Sequence, residues 1–223
     1  MLFPGGIEST SNATLIFSAV AAAIYALIIG MRVTPLRTAV KALAVGLLAV
    51  LSIVENGPLL LIGALLLSAC GDALLSREGD DRLQVAGLFC FIAAHLVYTT
   101  LFITHGAGLA VLESDLWRAG VAAAAAIVAL VMLVLAWRRV KPALRLPLLL
   151  YTLAVVAMTA SALTMDDYRL MAGALLFIAS DAALATERFL ISAISPHRGW
   201  LRLAAWSLYY VAQATLTLGV LLG

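Results

Sequence analysis

Two aspartates stand where lipid-facing hydrocarbon is expected. Asp72 lies in LLLSACGDALLSR, residues 65 to 77, and Asp181 lies in GALLFIASDAALATE, residues 173 to 187. A carboxylate inside a membrane span costs on the order of 2.5 to 3.5 kcal/mol to insert, so two on separate spans need a reason. Asp72 precedes Arg77 by about 7 Å of helix and Asp181 precedes Arg188 by about 10 Å, at about 1.5 Å per residue. Both carboxylates therefore reach one shallow layer beneath a basic rim. Paired carboxylates can divide acid and base work. Taken singly, each also reads as a structural partner for Lys41 or as a snorkelling interfacial charge.

Other polar groups approach that layer from the same side. Lys41 stands at the mouth of one span, Tyr151 follows Arg145 in another, and Tyr209 and Gln213 follow Arg202 in a third. Gly87, Phe91, His95 and Tyr98 recur at helical spacing and share one face. His95 lies near the midplane, roughly 20 Å past Arg82. Together these groups outline a pocket that opens at the basic side and reaches inward. Tyr151, Tyr209 and Gln213 also read as helix-to-helix hydrogen-bonding groups, and His95 as a satisfied core histidine.

Several chemistries are excluded. The chain has no Gly-x-Ser-x-Gly elbow, no His-Glu-x-x-His, no Cys-x-x-Cys and no glycine-rich phosphate loop. His95, His105 and His197 fall too far apart in depth to share a zinc ion, so neither a metal nor an organic cofactor is expected. Cys70 and Cys90 both fall within spans and read as small apolar packers rather than as a disulfide or metal pair.

The elements that position these residues are set by composition. With 64% hydrophobic and 12% charged residues and a mean hydropathy of +1.09, the chain has too little polar surface to coat a water-soluble globule. Its apolar runs lack period-two alternation, which predicts membrane helices rather than barrel strands. The expected fold is all-α, a single integral membrane domain over residues 1–223. Its eight spans fall near residues 13 to 31, 38 to 54, 58 to 76, 83 to 104, 116 to 137, 143 to 164, 168 to 187 and 200 to 222. The first run has no basic residue before it and is expected to stay as a span rather than be cleaved as a signal peptide.

A repeat runs through the chain. Span 3 ends GALLLSACGDALLSRE, residues 63 to 78, and span 7 ends GALLFIASDAALATE. Gly-Ala-Leu-Leu opens both segments and a small residue before Asp-Ala closes both, one residue out of register. Four spans separate them, as in a parallel 4+4 duplication; the abundance of Ala and Leu in membrane helices leaves a chance match as the alternative.

Orientation follows from the Lys and Arg residues. Four alternate loops hold 12 of the 14 and leave only Arg118 and Arg169 for the other side. By the positive-inside rule those loops face the cytoplasm and both termini face outward. The expected location is a bacterial inner membrane, with the pocket open to the cytoplasm. A net charge of +2 is ordinary for such a protein and points to no nucleic acid partner.

At these residues the sequence resembles the YhhN family, the lysoplasmalogenase family of small polytopic membrane proteins, over nearly the whole chain. The resemblance rests on Lys41; on Ser68, Gly71 and Asp72; on Gly87, Phe91, His95 and Tyr98; on Tyr151 and Met158; on Gly173, Phe177, Ser180, Asp181 and Phe189; and on Tyr210 and Gln213. Ala42 stands where the family usually has Pro. The resemblance implies hydrolysis of the vinyl ether bond of a lysoplasmalogen to a fatty aldehyde and glycerophosphoethanolamine or glycerophosphocholine.

Such a reaction suits two carboxyl groups. Protonation of the vinyl β-carbon creates an oxocarbenium ion, water adds, and the hemiacetal collapses. One carboxyl would act as acid while the other stabilises the cation or activates water, as in glycosidases, and one proton shared between neighbouring carboxylates is reasonable at neutral pH. Asp72 and Asp181 are the expected catalytic residues, with either able to be the acid. The expected substrate contacts are Lys41, Arg77 and Arg82 at a phosphate, with Ser68, His95, Tyr98, Tyr151, Ser180, Tyr210 and Gln213 around a lysophospholipid drawn from the membrane. Two alternatives stand beside this reading: a proton-coupled transporter of lipid or small solute, and a hydrolase with Ser68 as nucleophile and His95 as base.

Overall fold

Helix starts are written in short-range capping chemistry. Ser9 accepts from the Asn12 amide, Thr34 from the Arg37 amide, Asp80 from the amides of Arg82 and Leu83, and Asp167 from that of Arg169, each satisfying an otherwise orphaned donor. Pro35 and Pro142 open their helices, where the missing N–H costs nothing. The computed structural model describes residues 2–6, 8–77, 79–192 and 194–223; Glu78, the last residue of the first repeat segment, lies outside the described residues.

Among the described residues the elements run α1 (Thr10–Ile28), α2 (Pro35–Val54), α3 (Leu59–Leu75), α4 (Asp81–His105), α5 (Ala110–Ser114), α6 (Leu116–Trp137), α7 (Pro142–Ala162), α8 (Tyr168–Ala185) and α9 (Arg198–Leu222). All are helical. Seven are long and apolar enough to cross a membrane, and α3, at 17 residues, is a shorter apolar helix. The eight expected spans thus correspond to eight apolar helices, and α5 is a short surface turn between two of them. A π-helical turn, Thr186–Leu190, extends α8 and closes with the Ile191 amide donating to the Thr186 carbonyl at 3.2 Å. No hydropathy signal marks such a turn. π-Turns recur at functional sites, and this one carries Glu187, Arg188 and Phe189.

The outer surface is apolar, with Phe17, Leu27, Ile103, Ile127, Val134 and Leu153 among its exposed side chains, so lipid is the only solvent that suits it. This is an integral membrane bundle. Its core joins Leu48, Leu65, Phe91, Tyr98, Met158, Phe177 and Leu216 across six helices. Helix α6 is the exception: its mean hydropathy of 2.7 is the highest of the spans, yet it buries only Ala125, Leu133 and Ala136. It stands as an outer wall.

Helices α3 and α4 cross closely because glycine allows it. A Cβ on Gly71 would lie 2.7 Å from the Phe91 ring, and one on Gly87 would lie 2.8 Å from Leu75 Cγ. The contact sets Phe91 one residue from Asp72. Helices α8 and α9 form a second close pair, with Gly173 against Leu216.

Candidate functional site

Asp72 is 1% exposed and both its oxygens are taken. The Lys41 ammonium donates to Oδ1 at 2.8 Å, and the Tyr209 hydroxyl donates to Oδ2 at 2.7 Å. Behind Tyr209, the Gln213 amide donates to the tyrosine oxygen at 3.5 Å, and the Tyr98 hydroxyl donates to Gln213 Oε1 at 2.7 Å. The chain from Tyr98 through Gln213 and Tyr209 therefore points its last proton at Asp72, and Lys41 points another. Every bond treats Asp72 as a pure acceptor, which is the role of an ionised carboxylate.

Asp181 is surrounded differently. The Tyr151 hydroxyl stands 2.9 Å from both Oδ1 and Oδ2, and no Lys or Arg among the described residues comes within ion-pair distance of it. One hydroxyl proton serves one oxygen at a time. The other oxygen keeps capacity for a proton of its own.

The two acids are joined by rings. Phe91 meets Tyr151 edge-on at 6.4 Å and Tyr209 at 5.9 Å between centroids. On the other side His95 contacts Tyr151 at 5.1 Å and Phe177 at 4.7 Å, and Phe177 contacts Tyr209 at 5.4 Å. These edge-to-face contacts fix both phenols from apolar neighbours. His95 Nδ1 lies 2.6 Å from the Phe91 carbonyl, while Nε2 is buried with no partner among the described residues.

Asp72, Asp181, Tyr151, Tyr209, Lys41 and Ser180 line one cavity of about 550 Å³. Its wall has two characters. Val128, Ala129, Met132 and Leu133 of α6, with Leu144, Leu148 and Val155 of α7, form an apolar side. Arg37, Arg139, Arg188, Arg198 and Arg202 form a cationic end around the π-turn. There Arg198 and Arg202 reach Glu187 Oε1 at 2.6 and 3.0 Å, and Arg139 donates to the Phe189 carbonyl.

Not every expected residue arrives here. Arg77 and Arg82 are exposed, and neither lines the cavity; Arg77 borders a separate shallow depression with Thr34, Thr38 and Asp80. Tyr210 turns to α1, where its hydroxyl lies 2.9 Å from Ser18 Oγ. The Ser68 hydroxyl donates to the Ala64 carbonyl at 2.8 Å and makes no hydrogen bond to His95, so the geometry assembles no Ser–His pair. Ser180 lines the cavity with its hydroxyl donated to the Ala205 carbonyl at 2.8 Å. His95, Tyr98 and Gln213 stand behind the cavity and act on it through their neighbours. Sequence reasoning placed Tyr209 in the layer but not at Asp72, and it missed Arg37, Arg139, Glu187, Arg198 and Arg202. The signal for the last three was present in the basic residues that flank the break between α8 and α9.

No curated protein and no solved structure matches the chain. The model of the YhhN family matches residues 36–220, most of the chain, across the helices that carry Lys41, Asp72, Tyr151, Asp181 and Tyr209, and the chain is accordingly a member of the YhhN family.

Proposed function

We propose that the protein is an intramembrane hydrolase that cleaves the vinyl ether bond of a lysoplasmalogen-type lipid, with Asp181 as general acid and Asp72 as the ionised partner. The observation that carries this reading is the unequal company of the two aspartates in one cavity. Asp72 is held as an acceptor by Lys41 and Tyr209, whereas Asp181 has Tyr151 alone. Membership of the YhhN family supports hydrolase activity on such lipids.

The steps balance as follows. Protonated Asp181 gives its proton to the vinyl β-carbon, and the adjacent carbon and ether oxygen share the resulting positive charge. The Asp72 carboxylate, fixed in advance by its donors, stabilises that charge without reorganising. Water adds to the cationic carbon and gives a proton to the Asp181 carboxylate, which restores the acid and leaves a hemiacetal. Asp181 then protonates the departing glycerol oxygen as it accepts the hemiacetal hydroxyl proton. One water is consumed and one aldehyde and one alcohol are released. The pair divides its work as glycosidase carboxylates do.

The cavity suits an amphiphile: the apolar wall of α6 and α7 accommodates a chain and the cationic end a headgroup. By the positive-inside distribution of Lys and Arg, that end faces the cytoplasm and both termini face outward. The test is purified protein in proteoliposomes given a lysoplasmenyl lipid and its saturated-ether analogue. Aldehyde from the vinyl compound alone is the expected result. Intact lipid crossing the bilayer with no aldehyde would overturn the reading in favour of transport.

A further inference from the structure

We propose that the alkyl chain of the substrate is not enclosed by the protein: it leaves the cavity sideways past α6 and lies in the surrounding leaflet, so that only the first few carbons beyond the ether are gripped. This course rests on the hydrolase reading for the bond that is cut and on separate geometry for where the chain can go.

The cavity is too shallow for a whole chain. Its lining ends on α8 at Phe177, on α7 at Val155, on α4 at Phe91 and on α9 at Tyr209. Phe177 lies four residues outward of Asp181 and Val155 four residues outward of Tyr151, about 6 Å of helix in each case at about 1.5 Å per residue. A lysolipid chain crosses one leaflet, about 15 Å, half of a hydrocarbon core of about 30 Å. Beyond the floor the bundle is filled: His95, Met158, Ala174 and Leu216 are at most 1% exposed, and a close-packed interior admits no chain without displacing side chains. The chain has to turn.

The wall at that depth gives the direction. Val128 of α6 lies eleven residues before Arg139, as Phe177 of α8 lies eleven before Arg188, so both stand at the level where the floor closes. Val128 lines the cavity and is also 41% exposed, whereas Phe177, Val155, Phe91 and Tyr209 are at most 7% exposed. Of these residues only Val128 reaches the outer surface.

Helix α6 is also the least braced wall. It packs against α7, α8, the π-turn and the short α5, and against no other helix among the described residues, although Asp72 of α3 and Phe91 of α4 line the same cavity. Met132, Val128 and Val131 follow one another around α6 at steps of four and three residues, so neighbouring side chains touch and form a continuous apolar track from the cavity lining to the exposed Val131. A chain on that track buries no polar group on its way to the bilayer.

The test is displacement of a radiolabelled hexadecyl-ether lysophosphocholine, which binds without turnover, from the purified full chain in nanodiscs. Two competitors carry added bulk, one a pyrene on the terminal carbon and the other a cyclohexyl group on the third carbon from the ether. The terminal pyrene should leave affinity within about threefold, while the inner cyclohexyl should lower it about tenfold or more, because only that group falls inside the packed cavity. A loss of about tenfold or more for the terminal pyrene overturns the proposal, since an enclosed tail end has no room for it. Tolerance of both groups overturns it too, since the chain would then lie outside the cavity throughout. Val128→Trp should weaken binding of the plain lipid about tenfold, and Val134→Trp, on the outward face of the same helix, should leave it unchanged; equal effects of the two overturn the route past α6. The vinyl-ether forms are assayed in parallel for aldehyde. The expected binding pattern with no aldehyde sinks the hydrolase reading and leaves the chain route standing, whereas aldehyde from the plain vinyl ether with loss of binding for the pyrene form does the reverse.

Discussion

The Tyr151 hydroxyl stands equidistant from the two oxygens of Asp181, 2.9 Å from Oδ1 and from Oδ2. The first half of the chain solves the corresponding problem with a cation, because Lys41 of α2 reaches Asp72 of α3 where Tyr151 of α7 reaches Asp181 of α8. In a 4+4 arrangement α2 and α7 hold corresponding places. The two aspartates thus have unlike partners, and the difference lies in one residue on a neighbouring helix.

That difference predicts unlike consequences for the same substitution. With Asp181 as the proposed acid, Asp181→Asn replaces a protonated carboxyl with a neutral isostere, so thermal stability in detergent should hardly change while kcat falls by about 10² to 10⁴, the usual share of a general acid. Asp72→Asn strands the Lys41 ammonium, and breaking a buried pair from one side costs about 3–5 kcal/mol. A clear drop in melting temperature for Asp72→Asn alone is the expected result. Equal destabilisation by both variants would remove the distinction between the two acids.

Removing both charges tests the pair from the other direction. Lys41→Met with Asp72→Leu replaces the ion pair by apolar volume, and such replacements are often neutral or stabilising. The double variant should melt above either single variant and have no aldehyde-releasing activity. Coupling between the sites, read from the four-member cycle, should be well above the ~0.5 kcal/mol scatter of independent sites. Additive effects would mean that the 2.8 Å contact is not energetically real.

Gly71 offers a test of how packing sets the site. A methyl group there meets the Phe91 ring at 2.7 Å, and Phe91 is the ring that touches both Tyr151 and Tyr209. Gly71→Ala should cost about 1–3 kcal/mol, as overpacking does, and lower kcat through displaced phenols. Adding Phe91→Leu should restore most of the melting temperature and little of the activity. Recovery of both together would show that Phe91 does not position the tyrosines.

Much of this architecture is legible in the sequence, and the illegible part has a common cause. Hydropathy and the runs of Lys and Arg place the helices and their depth, because the length of apolar chain that spans a bilayer is fixed by its thickness. Depth therefore brought Asp72, Asp181, Lys41 and Tyr151 to one layer. The angular facing of a lone side chain is not fixed that way: successive residues on a helix point about 100° apart, and which one meets a partner depends on packing with other helices. Tyr209 and Tyr210 are neighbours in the chain, yet one binds Asp72 and the other Ser18. Arg77 and Arg82 sit at the right depth and face away from the cavity, whereas Arg198 and Arg202 face into it through Glu187. The π-turn that carries Glu187 leaves no periodic trace at all.

The two cysteines report on that facing directly. Cys70 on α3 and Cys90 on α4 lie outside the aromatic core, with Cys70 exposed and the two sulfurs 3.8 Å apart. A disulfide requires a separation of about 2.05 Å, so a small side-chain movement suffices to join them. Copper phenanthroline, with oxygen as final acceptor of two electrons and two protons, should convert the pair to an intramolecular bridge in the membrane-embedded protein. Maleimide labelling of the denatured chain would then be lost at both positions, the intact mass would fall by two hydrogens, and reductant would restore both. Because the close crossing at Gly71 and Gly87 already fixes α3 against α4, the bridge should leave catalytic activity within about a factor of two, inside the ±0.5 kcal/mol expected of a change remote from the site. Two thiols that stay fully reactive would place α3 in a different rotation about its axis, and with it Asp72.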